Sequence, residues 1–312
     1  MSNTCLSRLV LRTALNGFRS NSAGPIKRLC RFVSTDPLVK EVKVLRHSGA
    51  DAGIITLALD RPKAKNALSR SLVAQFRSAL DEIRSDQHAR VVIVQSSVPG
   101  VFCAGADLKE RATMTPTEVE QFLYSVKMAF KELESLPQPT IAALDGAALG
   151  GGFELSLCCD LRVAGPRALL GLPETSLAII PGAGGTLRLT RLIGASRTKA
   201  LVFTARRLGP FPALSMGIVN DVVEASECMD DKDTGDHSLG YQRALEWARE
   251  ILPNGPIAVR MAKRSIDHAS AVDPATGLDI EQLCYAQVIP TQDRMEGLRA
   301  FKEKRKPVYK GC

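Results

Sequence analysis

No run of 18 or more apolar residues occurs in the 312-residue sequence, so no segment reads as a membrane-spanning helix. No C-x-x-C pair occurs either. None of the eight cysteines stands with a histidine at zinc-ligand spacing, so no metal site is predicted. The four histidines, His47, His88, His237 and His268, are isolated from one another and give no basis for a histidine-centred mechanism. A phosphate loop is missing too, because no glycine-rich stretch runs into Gly-Lys-Ser/Thr. Acids are absent from the N-terminus as far as Asp36.

That last absence organises the charge. Residues 1–34 hold Arg8, Arg12, Arg19, Lys27, Arg28 and Arg31, six of the cations behind a formal net charge of +8, so the rest is near neutral. Serines and apolar residues separate these cations, and no long apolar core follows. This profile predicts a mitochondrial transit peptide over 1–34, processed near Arg28–Ser34, and hence a matrix location. The basic balance then carries no argument for a nucleic-acid partner. Hydrophobic content of 45% with 24% charged residues is that of a soluble globular protein. Cys158 and Cys159 lie in an apolar run and read as buried thiols in a reducing compartment.

Along the chain, Val42–Leu45 and Ile54–Leu59 read as strands and Arg61–Asn66 as a loop. Ser69 is the expected N-cap of a helix to about Arg84, with Leu72, Phe76, Ala79, Leu80 and Ile83 facing the core at helical spacing. Val91–Gln95 reads as a buried strand, Thr117–Leu136 as a long helix, and Thr140–Leu144 as a strand running towards the glycines. Leu161–Val163 and Ala168–Gly171 read as short strands and Gly184–Ile193 as a helix. This alternation predicts an α/β core over 40–240, with a polar loop from Asp221 to Gly240 and a helical appendage over 241–312.

Three glycine-containing segments carry the chemistry. ALGGGFELSLCCD (148–160) places bare backbone at a helix start, where free N–H groups and the dipole favour negative charge. Without a phosphate-loop lysine, that charge is better read as one developing during a reaction. VFCAGADLKE (101–110) is a second turn of small residues after a strand. A donor from each turn, meeting over one carbonyl oxygen, would make an oxyanion hole, worth roughly 2.7–4 kcal/mol per donor. Leu172–Thr186 adds the carboxylate of Glu174 before another glycine turn. Glu154 and Glu174 near one polarised carbonyl suit general acid–base work at carbon.

Phe102–Glu110 (FCAGADLKE), Ala148–Glu154 (ALGGGFE) and Pro173–Thr186 (PETSLAIIPGAGGT) together resemble the three signatures of the crotonase, or enoyl-CoA hydratase, family. The similarity runs from about residue 40 to the C-terminus. It implies an α/β, crotonase-type spiral of ββα repeats with a C-terminal helical trimerisation region, assembling as a homotrimer or homohexamer. It also implies an oxyanion hole from the backbone N–H groups of Ala106 and Gly151, with Glu154 activating water and Glu174 handling the α-carbon proton. Lys63, Ala64, Leu68, Ala104, Asp107, Leu108 and Lys109 match positions near the CoA or substrate; Phe301 and Lys304 match positions touching CoA on a neighbouring subunit. The implied reaction is hydration of a 2-enoyl-CoA to the 3-hydroxyacyl-CoA, either short-chain or the 3-methylglutaconyl thioester of leucine degradation. No metal or redox cofactor is implied, since CoA arrives within the substrate.

Within this reading Glu154 is expected to be kept ionised by the helix dipole and Glu174 to have a raised pKa in a more apolar site. Phe153, Leu144 and Met114 are expected to shape the acyl pocket. Leu187 stands where the resemblance has Gln, and Pro210 and Pro212 are expected to interrupt a helix. Rival readings are an isomerase, decarboxylase or hydrolase of the same family, a catalytically silent scaffold, and an AU-rich RNA-binding protein. The last rests on a lysine-rich helix in one relative, matched by Ser69–Arg84. Here Arg70, Arg77 and Arg84 share a face, but Ala74 and Ser78 replace lysines and Asp81 and Glu82 oppose the charge, so weak RNA binding at most is predicted.

Overall fold

Ile54–Leu59 is apolar or neutral at every position, without the alternation of a half-exposed strand. Such runs belong in parallel sheets covered on both faces, and all six residues are buried. The structure is a computed structural model describing residues 39–224, 238–269 and 271–312. The expected leader at 1–34 and most of the acidic loop lie outside these residues.

Ten strands follow in chain order: β1 (Val42–Arg46), β2 (Ile54–Leu59), β3 (Val91–Ser96), β4 (Val101–Cys103), β5 (Thr140–Leu144), β6 (Ala147–Leu149), β7 (Leu161–Ala164), β8 (Leu169–Gly171), β9 (Arg207–Leu208) and β10 (Asp221–Val222). They form two sheets, one of order β1-β2-β3-β5-β7-β10 and one of order β4-β6-β8-β9. In the first, β2, β3, β5, β7 and β10 pair in parallel and β1 closes one edge antiparallel. In the second, β4, β6 and β8 are parallel. From β3 to β8 each pass of the chain therefore places one strand in each sheet before a helix returns it, consistent with the predicted spiral of ββα repeats. Sequence reading gave Thr140–Leu144, the observed β5, but not β6, which follows after only Asp145-Gly146. At Gly146 a Cβ would lie 2.2 Å from the Gly100 carbonyl carbon. Glycine there permits the two short strands to turn from one sheet to the other against the β4 entry.

The helices are α1 (Arg70–Ser85), α2 (Leu108–Arg111), α3 (Pro116–Glu134), α4 (Gly151–Ser156), α5 (Gly185–Ile193), α6 (Ala195–Phe203), α7 (Pro210–Ser215), α8 (Leu239–Ile251), α9 (Pro256–Ala269), α10 (Pro274–Val288) and α11 (Gln292–Glu303). Ser69 caps α1 by accepting from the Leu72 amide, and the five predicted core positions of that helix are buried, with Val73 beside them. Thr115 and Glu118 cap α3 reciprocally. Pro210 does not interrupt a helix; it begins α7 at the first position, where the missing N–H has no intrahelical partner to lose.

Lys40–Cys312 form one compact unit. The C-terminal region enters the core directly: Ala244 and Ala248 of α8 pack with Ile54, Val91, Ile93, Ile141, Ala143 and Val163 of the six-stranded sheet. Asp145, at the β5–β6 corner, fixes the start of α8 by accepting from the Gly240 and Tyr241 amides at 2.6 and 3.0 Å. Beyond α8 the helices bury less. Leu283, Tyr285, Leu298 and Phe301 on α10 and α11 remain exposed. No helix among the described residues is long and apolar enough to cross a membrane.

Candidate active site

Residues 104–107 follow β4 and lie beside the loop that precedes α1. Lys65 O accepts from the Ala104 amide, Gly105 O from Leu68, and Leu68 O from Asp107. Asn66 secures that loop from a left-handed backbone (φ 55°), with its side-chain amide donating to Phe102 O and Ser96 Oγ. Arg61 pairs with Glu41 and Asp107. Between these bonded neighbours, the Ala106 amide has no partner among the described residues.

The second turn leaves β6. Gly150 takes φ 52° and ψ −126°, a region closed to other residues, and its amide donates to Gly171 O. Gly152 sits against β4, where a Cβ would lie 2.1 Å from Cys103 O. Gly151, the first residue of α4, has a free amide because the helix offers its first N–H groups no acceptor. A Cβ on Gly105 would lie 3.4 Å from the Gly151 nitrogen, and one on Gly151 3.8 Å from the Ala106 nitrogen. The two open amides thus stand side by side, as the oxyanion reading requires.

Glu154 completes the first turn of α4 and is 2% exposed. Its Oε1 accepts from the Ala183 and Gly185 amides at 2.8 and 2.7 Å. Burial raises its pKa, opposed by those two amides and by the charges of Arg188 and Lys127. The expectation of a helix dipole holding this acid ionised is therefore replaced. The stabilising donors come from the following glycine turn, and desolvation is the larger effect.

Glu174 lies on the 3-10 turn Pro173–Leu177 after β8. Its Oε2 is buried without a hydrogen-bond partner. Burial, reinforced by the charge of Glu154, raises its pKa to about 7. This is the direction expected from the sequence, and both acids line the same cleft.

Ala106, Gly151, Glu154 and Glu174 all line one cleft. Leu68, Ala104 and Leu108 line it as expected, and Phe122, Leu123, Val126, Leu177, Ile179 and Ile180 supply an apolar wall. Lys63 and Ala64, on the 3-10 turn Pro62–Ala64, and Lys109, on α2, lie outside the lining, as do Phe301 on α11 and Lys304, which caps the C-terminus of that helix. Asp107 is not positioned for substrate. Its carboxylate caps α2 by accepting from Glu110 and pairs with Arg61, so it holds the Ala106 turn in place. Phe153 and Leu144 are core residues and Met114 packs against the core, so none of the three shapes the cleft. Leu187 is 55% exposed on α5 and likewise outside it.

The α1 arginines are engaged elsewhere. Arg70 pairs with Glu118, Arg77 forks onto Glu132, and Arg84 donates to the Glu132 and Ser135 carbonyls. Each of the three arginines on which the RNA reading depended therefore has a partner within the protein. No group of three or more His, Cys, Asp or Glu side chains arranged for a metal occurs among the described residues.

Residues 49–312 match the family described as enoyl-CoA hydratase/isomerase. The chain is 48% identical over 299 residues to the probable enoyl-CoA hydratase 2, mitochondrial, of Arabidopsis thaliana, covering 95% of each. It is 49% identical over 271 residues to the human methylglutaconyl-CoA hydratase, mitochondrial, covering 87% of this chain and 78% of that one. A crystal structure of an enoyl-CoA hydratase from Bacillus anthracis superimposes with a TM-score of 0.80 at 44% identity, covering 87% of this chain and all (100%) of the other.

Proposed function

The chain belongs to the enoyl-CoA hydratase/isomerase family, and from that premise we propose that it is a hydro-lyase adding water across the double bond of a 2-enoyl-CoA. The observation that carries this reading is the meeting of two unpartnered amides, Ala106 and Gly151, with two coupled acids in one apolar cleft.

The thioester carbonyl accepts from the two amides. As the water oxygen bonds to the β-carbon, its proton passes to the Glu154 carboxylate and electron density moves to the thioester oxygen as an enolate. The amides bind that charge more strongly than the neutral carbonyl, which lowers the barrier. Protonated Glu174 then gives its proton to the α-carbon, and proton exchange between the two acids resets the site. A raised pKa for Glu174 serves this role, because the group must carry a proton near neutral pH. CoA enters as part of the substrate, and the chemistry requires no metal or redox group.

The mitochondrial relatives support a mitochondrial location; the matrix is the finer assignment we propose. Exposed apolar side chains on α10 and α11 suit burial in a homotrimer or a dimer of trimers. Phe301 and Lys304 would then approach CoA held by a neighbour. Loss of the enoyl-thioester absorbance of crotonyl-CoA on incubation with the protein tests the reaction. Formation of a shifted-double-bond or decarboxylated product in place of the 3-hydroxyacyl thioester would replace hydration with another reaction of the family.

A further inference from the structure

The cleft has only three charged side chains in its lining among the described residues: the two acids and Arg111. Arg111 ends α2, the four-residue helix that begins immediately after the Ala106 turn. It is half-buried, and its side chain has no hydrogen bond or ion pair among the described residues. That sets it apart from nearby cations such as Arg61 and Arg70, which are paired. Nor is Arg111 ion-paired with either acid among the described residues. An unpaired guanidinium beside an apolar wall lacks a partner that the protein itself does not provide.

We propose that Arg111 is a specificity residue that selects 2-enoyl-CoA substrates bearing a carboxylate at the far end of a short acyl chain. This rests on the hydratase reading. The thioester carbonyl is anchored at Ala106, and Asp107 to Arg111 spans roughly 6 Å of helical rise. Carbon 5 of a five-carbon acyl chain lies four bonds of about 1.5 Å from carbon 1, or roughly 5 Å when extended. A terminal carboxylate on such a chain comes within reach of a flexible arginine at the end of α2. The planar fork of the guanidinium matches a carboxylate with two parallel hydrogen bonds. An uncharged acyl chain would leave the cation unpaired.

The test compares 3-methylglutaconyl-CoA with crotonyl-CoA in the parent, Arg111→Met and Arg111→Lys. Expected is a parent preference in kcat/KM for the charged substrate that falls about 30-fold in Arg111→Met, equivalent to about 2 kcal/mol at 1.4 kcal/mol per tenfold. Arg111→Lys should recover a large part of it. A parent with no preference, or a Met variant losing both substrates in equal proportion, overturns the proposal and assigns Arg111 to CoA or to the fold. Calorimetric binding of glutaryl-CoA against butyryl-CoA reads the same selection without turnover. Parent protein that favours glutaryl-CoA yet hydrates neither enoyl substrate keeps the selector and sinks the hydratase reading. Equal binding of the two sinks the selector alone.

Discussion

Two glycine turns of similar composition, Gly150–Gly152 and Gly182–Gly185, open helices α4 and α5, and they use their amides in opposite ways. The first leaves the Gly151 N–H without a partner, facing a cleft. The second directs the Ala183 and Gly185 N–H groups onto a single oxygen of Glu154. One turn is open to a ligand, and the other is closed by the protein's own carboxylate. The difference originates in what stands opposite. Leu68 and the Ala106 turn face the first, whereas the second meets a buried acid, with Arg188 fastening it by donating to Ala183 O and pairing with Glu134. A glycine-rich helix start is therefore not a ligand site until its neighbours leave it unoccupied.

The contrast is broken most severely at the carboxylate that joins the two turns. Glu154→Gln should lower kcat/KM by about 10³-fold or more through loss of the base. An amide carbonyl still accepts from Ala183 and Gly185, so thermal stability should change little. Steady-state kinetics with a melting curve check both halves; a large fall in Tm would show the second turn to depend on the charge itself.

Next in size is Glu174→Gln, expected to reduce kcat/KM by about 10²-fold. Parent activity should decline as pH rises through about 7, where Glu174 loses the proton it donates, and the variant should lack this limb. Stability gives an independent sign. The folded acid titrates near 7 and the unfolded one near 4.5, so between these values the unfolded state holds fewer protons and parent stability falls with rising pH. The difference in Tm between variant and parent should therefore grow from pH 4.5 to 7. A flat difference would remove the raised pKa.

Smaller again, a methyl group placed in each turn should separate their roles. At Gly151 it would lie 2.9 Å from Leu68 Cδ1, the movable end of a side chain, and narrow the approach to the open amide. The expected outcome for Gly151→Ala is a loss of about tenfold or more in kcat, with the pH profile unchanged. At Gly185 it would lie 2.8 Å from Glu154 Cγ and 3.0 Å from Oε1, so Gly185→Ala should displace the acid and shift the pH profile. Identical profiles for the two variants would erase the distinction. Smallest of all, Arg77→Ala breaks an exposed fork to Glu132 and should cost under about 1 kcal/mol in urea unfolding. It should leave kcat/KM intact.

The legible parts of this molecule were those with a local signature. The Ser69 cap and the spacing of Leu72, Phe76, Leu80 and Ile83 marked α1 within a residue. The uninterrupted runs of β2 and β3 announced strands, the second of them buried. The short strands β4, β6 and β9 were not legible, although β8 was; segments of two or three residues have no period of their own and are defined by their sheet partners. Glu154 and Glu174 stood out for their places beside glycine turns. The donors that hold Glu154 did not, since Ala183 and Gly185 are 29 and 31 residues away and act through backbone. Arg111 had no mark in sequence beyond its position after the second turn.

By itself, the sequence determined the helix and long-strand segments, the two acids and the paired turns of small residues, because each depends on contacts within a few positions. Tertiary structure alone decided which amides stay open, which acid is held and by what, and which cation is left without a partner. Those properties are set by what lies across the space between segments, and hydrogen-bond occupancy and desolvation exist only once that space has been filled.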